Sequence, residues 1–304
     1  MKEFEIKVQE KYNGMRLDKY IAEMKNNLSR SQIQSMIDRN QIEVNGKVEK
    51  KSYSVNSGDN IIIYKKEPKM LDLPKLDMDL DIIFEDKDII IINKPVGLIV
   101  HPVKGNRTDT LVNALLAHTD KLGNINGTLR PGIVHRLDKN TSGTILVAKN
   151  QSSLNNLQKQ FKERKTKKIY RTILEGTLPY NSGTIDAPIG RNPKNRTKMA
   201  VVKENSKKAV TEFNVIKRYN NFTYLEADLK TGRTHQIRVH FAHLGFPIIG
   251  DKKYGAETDM FDLEHQLLHA YQLGFYHPKN NQWVEYKAEL PQRFQQILAK
   301  IKDL

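Results

Sequence analysis

The stretch Ile133–Asn150, IVHRLDKNTSGTILVAKN, joins a polar turn, His135–Gly143, to an apolar run, Thr144–Ala148. One carboxylate, Asp138, stands in that turn between Arg136 and Lys139, with Asn140, Thr141, Ser142 and Gly143 behind it. Ile145, Leu146 and Val147 have the continuous hydrophobicity of a buried strand. Short hydroxyl and amide side chains bond their own backbone and hold a loop in one shape, and Gly143 is free to take a positive φ before the strand. The pattern predicts a single acid held at the mouth of a sheet, with cations near enough to keep it ionised. An ionised carboxylate serves as a nucleophile or a base. It also serves as a plain loop residue paired with Arg136, because structural ion pairs use the same residue types.

Two further stretches carry reactive side chains. In KERKTKKIYRTILEG (162–176), Lys162, Arg164, Lys165, Lys167 and Lys168 lead into a strand, Ile169–Glu175. They offer phosphate contacts beside one aromatic ring, Tyr170, which read alone is a core strand residue. In LKTGRTHQIRVHFAHLGFPIIGDKKYG (229–255), Thr231 and Gly232 make a turn, and His235 begins a helix whose Ile237, Phe241 and Leu244 face inward. Arg233 and Arg238 flank that helix start, where anions sit well. His235, His240 and His243 have neither HExxH spacing nor a carboxylate among them, so no metal site is expected.

The 304 residues are enough for two domains, and cysteine is absent. That removes disulfides, thiolate zinc sites and cysteine nucleophiles together, and suits a reducing compartment. The start, MKEFEIKVQEKYNG, has charges where an export signal needs an apolar core. No run approaches a membrane span, so the expectation is a soluble, cytoplasmic monomer with no membrane partner. The net charge of +15 is unevenly spread. Residues 159–218 hold 16 Lys and Arg against 5 Asp and Glu, a local surplus of +11. Such a concentration favours a polyanionic partner over solubility alone.

Along the chain, Phe4–Gln9 reads as a strand, Arg16–Met24 as a short helix, and Ser29 as the cap of a second helix, Arg30–Asp38. Ile42–Val44, the turn pair Asn45-Gly46 and Lys47–Glu49 form a hairpin, and Asn60–Tyr64 a last strand. Residues 65–79, with two prolines and no periodicity, read as a linker. The boundaries expected are a module over 1–68, a linker over 69–79 and a larger domain over 80–304. That domain opens with strands Ile82–Glu85 and Ile89–Asn93, bends at Pro95 and Gly97, and continues as strand Leu98–Val100. Helices follow at Thr110–His118 and at Ser152–Glu163, the latter capped by Ser152. Residues 180–208 form a long polar hairpin or loop with Arg191, Lys194, Arg196 and Lys198 at its tip. Strands Val210–Ile216, Tyr224–Leu229, Gln272–His277 and Val284–Ala288 come next, and helix Pro291–Ile301 closes the chain. The fold class is α+β: a small αβ module, then a mixed, mainly antiparallel sheet with flanking helices.

The run HRLDKNTSG resembles, residue for residue, the active-site signature of the RluD-like (RluA-type) pseudouridine synthases of large-subunit ribosomal RNA. Residues 14–70, with RLDKYI, SRSQIQSMIDRNQIEVNG and SGDNIIIY, resemble the small RNA-binding module first seen in a ribosomal small-subunit protein (S-four-like). The resemblances together cover residues 14–290. They imply an isomerase that needs no cofactor, because the substrate supplies every atom of the product. They place the essential acid on Asp138, a second catalytic-site residue on Tyr170, and the partner arginine on Arg233, with Arg238 as second choice. Substrate contacts fall on His135, Arg136, Leu137, Thr141, Gln236 and Arg238. RNA contacts fall on Arg16, Ser29, Arg30, Ser31 and Gln32 in the module, and on Lys165, Lys167, Lys168, Arg191 and Arg196. The implied partner is large-subunit ribosomal RNA, alone or in a pre-ribosomal particle, with tRNA as the alternative.

Two other classes compete. A glycosidase cleaves the same kind of bond but needs paired carboxylates, and the available partner, Asp251 in GDKKYG, reads as a turn residue. A non-catalytic RNA-binding protein would explain the charge and the module but would leave HRLDKNTSG without a reason.

Overall fold

The computed structural model describes residues 2–25, 28, 30–64, 73–102, 108–119, 122, 131–257 and 260–302. The chain divides into two compact units, Met1–Lys69 and Met70–Leu304.

In the first unit, β1 (Lys2–Lys7), α1 (Leu17–Met24), α2 (Arg30–Asp38), β2 (Ile42–Val44), β3 (Lys47–Val48) and β4 (Asn60–Tyr64) follow one another. The strands form a sheet in the order β1-β4-β2-β3. Its alternate residues Ile42, Val44, Ile61 and Ile63 pack on Leu17, Tyr20 and Ile21 of α1 and on Ile33 and Ile37 of α2. Asp18 is buried at the start of α1 and accepts hydrogen bonds from Arg16 (3.1 Å), Arg30 (2.9 and 3.0 Å) and Gln34 (2.7 Å). Burial alone would raise its carboxyl, but these donors hold it well below the usual carboxylate range. Arg16 and Arg30, two of the expected RNA contacts, are thus fixed side by side and half exposed. Ser29 lies outside the described residues, and of Ser31 and Gln32 only the backbone, within α2, is described.

The second unit continues with β5 (Ile82–Glu85), β6 (Ile89–Lys94), α3 (Leu111–His118), β7 (Ser142–Ala148), α4 (Gln151–Glu163) and β8 (Lys167–Glu175). Then come β9 (Ser182–Asp186), β10 (Ile189–Arg191), β11 (Met199–Val201), β12 (Ser206–Lys207), β13 (Val210–Tyr219) and β14 (Phe222–Leu229). The chain ends with α5 (Gln236–His243), β15 (Leu268–Tyr276), β16 (Trp283–Lys287) and α6 (Gln292–Lys302). One large sheet runs β5-β6-β7-β15-β8-β14-β13-β9, with β16 on β15. Every pairing in it is antiparallel except β7 with β15. Ile89, Ile90, Ile91 and Ile92 are all fully buried, so β6 is covered on both faces. Each such side chain contributes about 1.5–3 kcal/mol.

Several boundaries differ from the sequence reading for local reasons. Asn150, not Ser152, caps α4, its side chain accepting from the Ser153 amide at 2.9 Å. Leu98–Val100 forms no strand and makes a single bridge, Ile99 to Thr110. Part of the expected linker is seated: Asn113 donates to the Pro74 carbonyl at 2.7 Å and accepts from the Leu76 amide at 3.1 Å. The polar stretch 180–208 folds into β9 and a small separate sheet, β11-β10-β12.

The turn that carries Asp138 is joined to β7 by an uneven division of hydrogen bonds. β15 pairs with β7 only at Ser142 and Gly143. Gly143 takes a φ of +110°, and a Cβ there would meet the Ala270 carbonyl, so glycine is required at this approach. Beyond that point residues 132–135 replace β15 along β7. Gly132 accepts from the Ala148 amide at 2.8 Å, and His135 Nε2 accepts from the Leu146 amide at 2.9 Å. Removal from water, with Lys168 adding to it, pushes the His135 pKa down to about 3. Its Nδ1 therefore carries the proton. His269 is similarly buried between Ser142 and the Ala288 carbonyl, and burial pushes its pKa down to about 4.

Both histidines bind a proton more weakly in the folded chain than at the ordinary 6.5. The unfolded chain therefore takes up more protons below that pH. Stability is full above 6.5 and is lost as pH falls toward about 4 for His269 and about 3 for His135. Thermal unfolding followed by circular dichroism should show Tm dropping through this window. The drop should be shallower in His135→Gln, which keeps an acceptor for Leu146 but does not titrate.

Candidate active site

Asp138 lies in a pocket of about 440 Å³ formed by the turn after Val134, the ends of α4 and β8, and the segment Leu229–Arg238. Seven cations line it, Arg136, Lys162, Arg164, Lys168, Lys230, Arg233 and Arg238, against Asp138 as the lone carboxylate. The groups nearest the acid are the Arg238 guanidinium, with Nη1 3.6 Å from Oδ2, and the His235 imidazole, with Nε2 3.8 Å from the same atom. Both distances exceed a hydrogen bond. The field at the acid is therefore positive while its lone pairs stay unbonded by protein among the described residues.

Arg238 keeps that distance because it is committed elsewhere. Its Nε and Nη2 donate to the buried Asp251 at 2.6 and 2.8 Å, a bidentate fork. Nη1 is the corner left for Asp138. The guanidinium also stands over the Tyr254 ring, 4.9 Å from its centroid. His235 takes the left-handed conformation, φ 57°, so α5 starts abruptly after it, and Arg238 falls in its first turn. His235 Nδ1 meets the Tyr254 hydroxyl at 2.7 Å, and that hydroxyl accepts the Met199 amide at 3.0 Å. With the Tyr254 proton given to Nδ1, the imidazole presents Nε2–H to Asp138. Burial pushes the His235 pKa down, with Asp138 pulling the other way.

The turn is anchored from behind by Lys94, which is fully buried at the end of β6. Its ammonium donates to the carbonyls of Pro95 (2.7 Å), Leu98 (2.9 Å) and Lys139 (3.1 Å). The Gly97 amide also donates to the Lys139 carbonyl at 3.0 Å. Burial lowers the Lys94 pKa to about 7, against the opposing pull of Asp138. Tyr170, on β8 between Ala227 of β14 and Ala270 of β15, forms part of the pocket wall. Burial first, and the Asp138 charge second, push its phenol well above the ordinary value, so it is neutral at physiological pH.

A lone acid, a neutral buried phenol and a ring of cations suit a reaction on one nucleotide of a polyanion. Comparison with known proteins agrees. The family profile for RNA pseudouridylate synthase matches residues 88–243. The chain belongs to that family. An S4 domain matches residues 15–61. The chain is 43% identical over 302 residues, 99% of each sequence, to the uncharacterized RNA pseudouridine synthase YlyB of Bacillus subtilis. It is 40% identical over 301 residues to the ribosomal large subunit pseudouridine synthase D of Neisseria meningitidis, covering 95% of this chain and 79% of that one. Human RNA pseudouridylate synthase domain containing 4 superposes with a TM-score of 0.59 at 25% identity, covering 73% of this chain and 92% of that one. Members of the family are isomerases, and the fold described above is theirs.

Against that background, the expected residues divide. Asp138, Tyr170, His135, Arg136, Leu137, Thr141, Arg233, Gln236 and Arg238 all line the pocket. Arg233 does not pair with Asp138: its Nε donates to the Lys208 carbonyl at 2.9 Å, and Arg238 takes the place expected of it. Arg136 is exposed and forms no ion pair with Asp138, so the plain structural pairing is absent. The Gln236 amide is fully used, accepting from Thr231 and the Arg233 backbone and donating to Val210 and Thr211. His135 spends Nε2 on β7 and stacks its ring on Phe161 at 4.9 Å. Of the expected phosphate contacts, Lys165 pairs with Glu163 and Lys167 with Glu285, while Lys168 reaches the pocket. Arg191 bonds the Arg196 carbonyl at 2.9 Å and braces the tip of the small sheet.

Sequence reasoning missed Lys94, Asp251 and Tyr254. A lysine closing a strand reads as surface, and nothing near Lys94 marks three inward carbonyls. GDKKYG holds both Asp251 and Tyr254, but its glycines signal only a turn.

The Arg238–Asp251 fork is buried on both sides. Removing one partner of such a pair costs about 3–5 kcal/mol. Asp251→Asn should lower unfolding free energy by that amount in urea titrations. A loss below about 1 kcal/mol would instead class the fork with surface ion pairs.

Proposed function

We propose that this chain converts uridine to pseudouridine in large-subunit ribosomal RNA, with Asp138 as the essential residue. The observation that carries the reading is the Asp138 carboxylate, charge-compensated by Arg238 and faced by the His235 Nε2–H, yet free of protein hydrogen bonds among the described residues. The reaction breaks the bond from N1 of uracil to the ribose, turns the base and rejoins it through C5, whose proton is lost. A carboxylate acting on the ribose, at the anomeric carbon or at a sugar proton, needs its lone pairs available. Arg238, rather than Arg233, holds the charge balance, and Tyr170 offers the uracil an aromatic wall. The ribose of a stacked nucleotide is out of reach, so the uridine must be extruded. Stacking and phosphate contacts offset the few kcal/mol of unstacking.

The cations around the pocket, and Arg16 and Arg30 pinned by Asp18 in the module, support an RNA partner. Large-subunit RNA is favoured by the Neisseria relative, whose name specifies that substrate, and by the pairing of module and synthase domain that both share in sequence. The reading carries with it a cytoplasmic protein acting as a monomer. Among the described residues no helix is long and apolar enough to cross a membrane.

Asp138→Asn should abolish tritium release from RNA carrying 5-tritiated uridine while leaving RNA affinity within about twofold, since only transition-state contacts are lost. Continued release would sink the assignment of Asp138. Free uracil among the wild-type products would make the chain a hydrolase. In cells lacking the gene, pseudouridine mapping should show one or a few sites missing from large-subunit RNA. A loss confined to tRNA would overturn the substrate and leave the chemistry standing.

A further inference from the structure

Beside the Asp138 pocket runs a larger groove, about 1060 Å³, for which isomerisation itself has no use. Arg164 and Lys230 line both, so the two are contiguous. One bank is the end of α4 and the start of β8, and the other is the β15–β16 hairpin. Buried Gln160 ties the banks together, donating to the Tyr276 carbonyl at 2.7 Å and accepting from its amide at 2.9 Å. The groove's five Lys and Arg side chains outnumber two carboxylates, Glu163 and Asp228.

Trp283, the chain's single tryptophan, lines the groove with 42% of its surface exposed. It is not loose. The indole lies against Gly274, where a Cβ would come within 2.6 Å of the ring. It meets the Tyr276 ring edge-on at 5.1 Å, and its N–H donates to Glu285 at 3.2 Å. Arg164, at the junction, holds a left-handed φ of 60° that ordinarily favours glycine, and its guanidinium has no ion-pair partner among the described residues. The Thr166 hydroxyl, also in the groove, is buried without a hydrogen-bond partner among the described residues.

We propose that this groove binds the RNA strand flanking the target uridine, with Arg164 on a phosphate and Trp283, backed by Tyr276, stacking a base. Lys230, at the junction, is held by Asp228 at 2.7 Å and Glu212 at 3.0 Å. Basic grooves with fixed aromatic platforms are how proteins hold single strands without reading their sequence. The proposal rests on the RNA isomerase reading and deepens it. It makes the groove an extension of the active site that grips the chain while its neighbour is extruded.

The test uses the full-length Asp138→Asn protein and an oligouridine of about 12 nucleotides, within the usual range for single-strand sites. Tryptophan emission is followed on titration, and anisotropy of a labelled copy of the oligonucleotide gives Kd. The emission should be quenched as the oligonucleotide binds. Trp283→Ala should weaken Kd about five- to hundred-fold, and Trp283→Phe should restore most of that loss. Arg164→Ala should weaken binding and flatten its salt dependence. Circular dichroism confirms that each variant is folded. If the oligonucleotide binds with the indole emission unchanged and Trp283→Ala binds as well as the parent, the groove proposal falls and the RNA reading stands. If neither oligouridine nor large-subunit RNA binds at all, both fall together. Quenching by polyglutamate but not by RNA would assign the groove to an acidic protein and overturn the proposal.

Discussion

Arg238 faces two carboxylates and bonds only one. A guanidinium buried to this degree must have a partner, because the desolvation cost of an unpaired buried charge runs to several kcal/mol. Asp251 meets that requirement with both oxygens, on the Nε–Nη2 edge. Asp138 is left opposite Nη1 at 3.6 Å, near enough to feel the charge and too far to be tied by it. With Asp251 absent, the same fork geometry would suit Asp138, and the resulting bidentate pair would occupy the lone pairs that chemistry requires. The second carboxylate is thus what keeps the first one free.

Holding that arrangement requires segments far apart in sequence to meet, and the sheet brings them together by stopping short. β15 runs parallel to β7 for two residues and then leaves it. The vacated edge is taken by residues 132–135, with His135 standing in for a strand carbonyl at Leu146. The Asp138 turn is therefore an extension of the sheet's own hydrogen bonding rather than a loop resting on it. From the other side Lys94 draws the carbonyl of Lys139 and those of the 95–98 bend to one ammonium. Asp138 supports the turn only through its backbone carbonyl, which accepts the Thr141 amide at 3.1 Å, so among the described residues its carboxylate is left to serve the substrate.

How much of this was legible follows from the range of the interactions involved. The acid and its turn lie in one contiguous run, the nine matched residues HRLDKNTSG, and the phenol lies in another, KKIYRTILEG, so each could be singled out from its own stretch of sequence. The helix boundaries came from periodicity, with an error of two residues at Asn150, where both candidate caps are small polar residues. The arginine beside the acid was not decidable. GRTHQIR puts two guanidiniums near one helix start, and the choice turns on the left-handed φ of His235 and on an aspartate thirteen residues further on. A turn-like GDKKYG gives no sign that its carboxylate will be buried. Lys94 and Trp283 are silent for the same reason. What makes one an anchor is three carbonyls converging on it, and what makes the other a platform is a glycine, Gly274, lying diagonally from it on the paired strand, where the indole covers it.

The charge distribution resolves a conflict inherent in the chemistry. An acid that must reach a ribose has to approach a chain of phosphates, each of which repels it. At 4 Å two unit charges interact by about 1 kcal/mol in water, and several-fold more at a protein surface. A carboxylate alone in its pocket would therefore repel its own substrate. Seven cations around one acid invert that field at the pocket mouth, while only Arg238 and His235 come near the carboxylate itself. The surplus of +11 in residues 159–218 is then more than a general affinity for polyanions. Part of it, at Lys162, Arg164 and Lys168, rings the pocket, so that the phosphates meet positive charge before the ribose meets the acid.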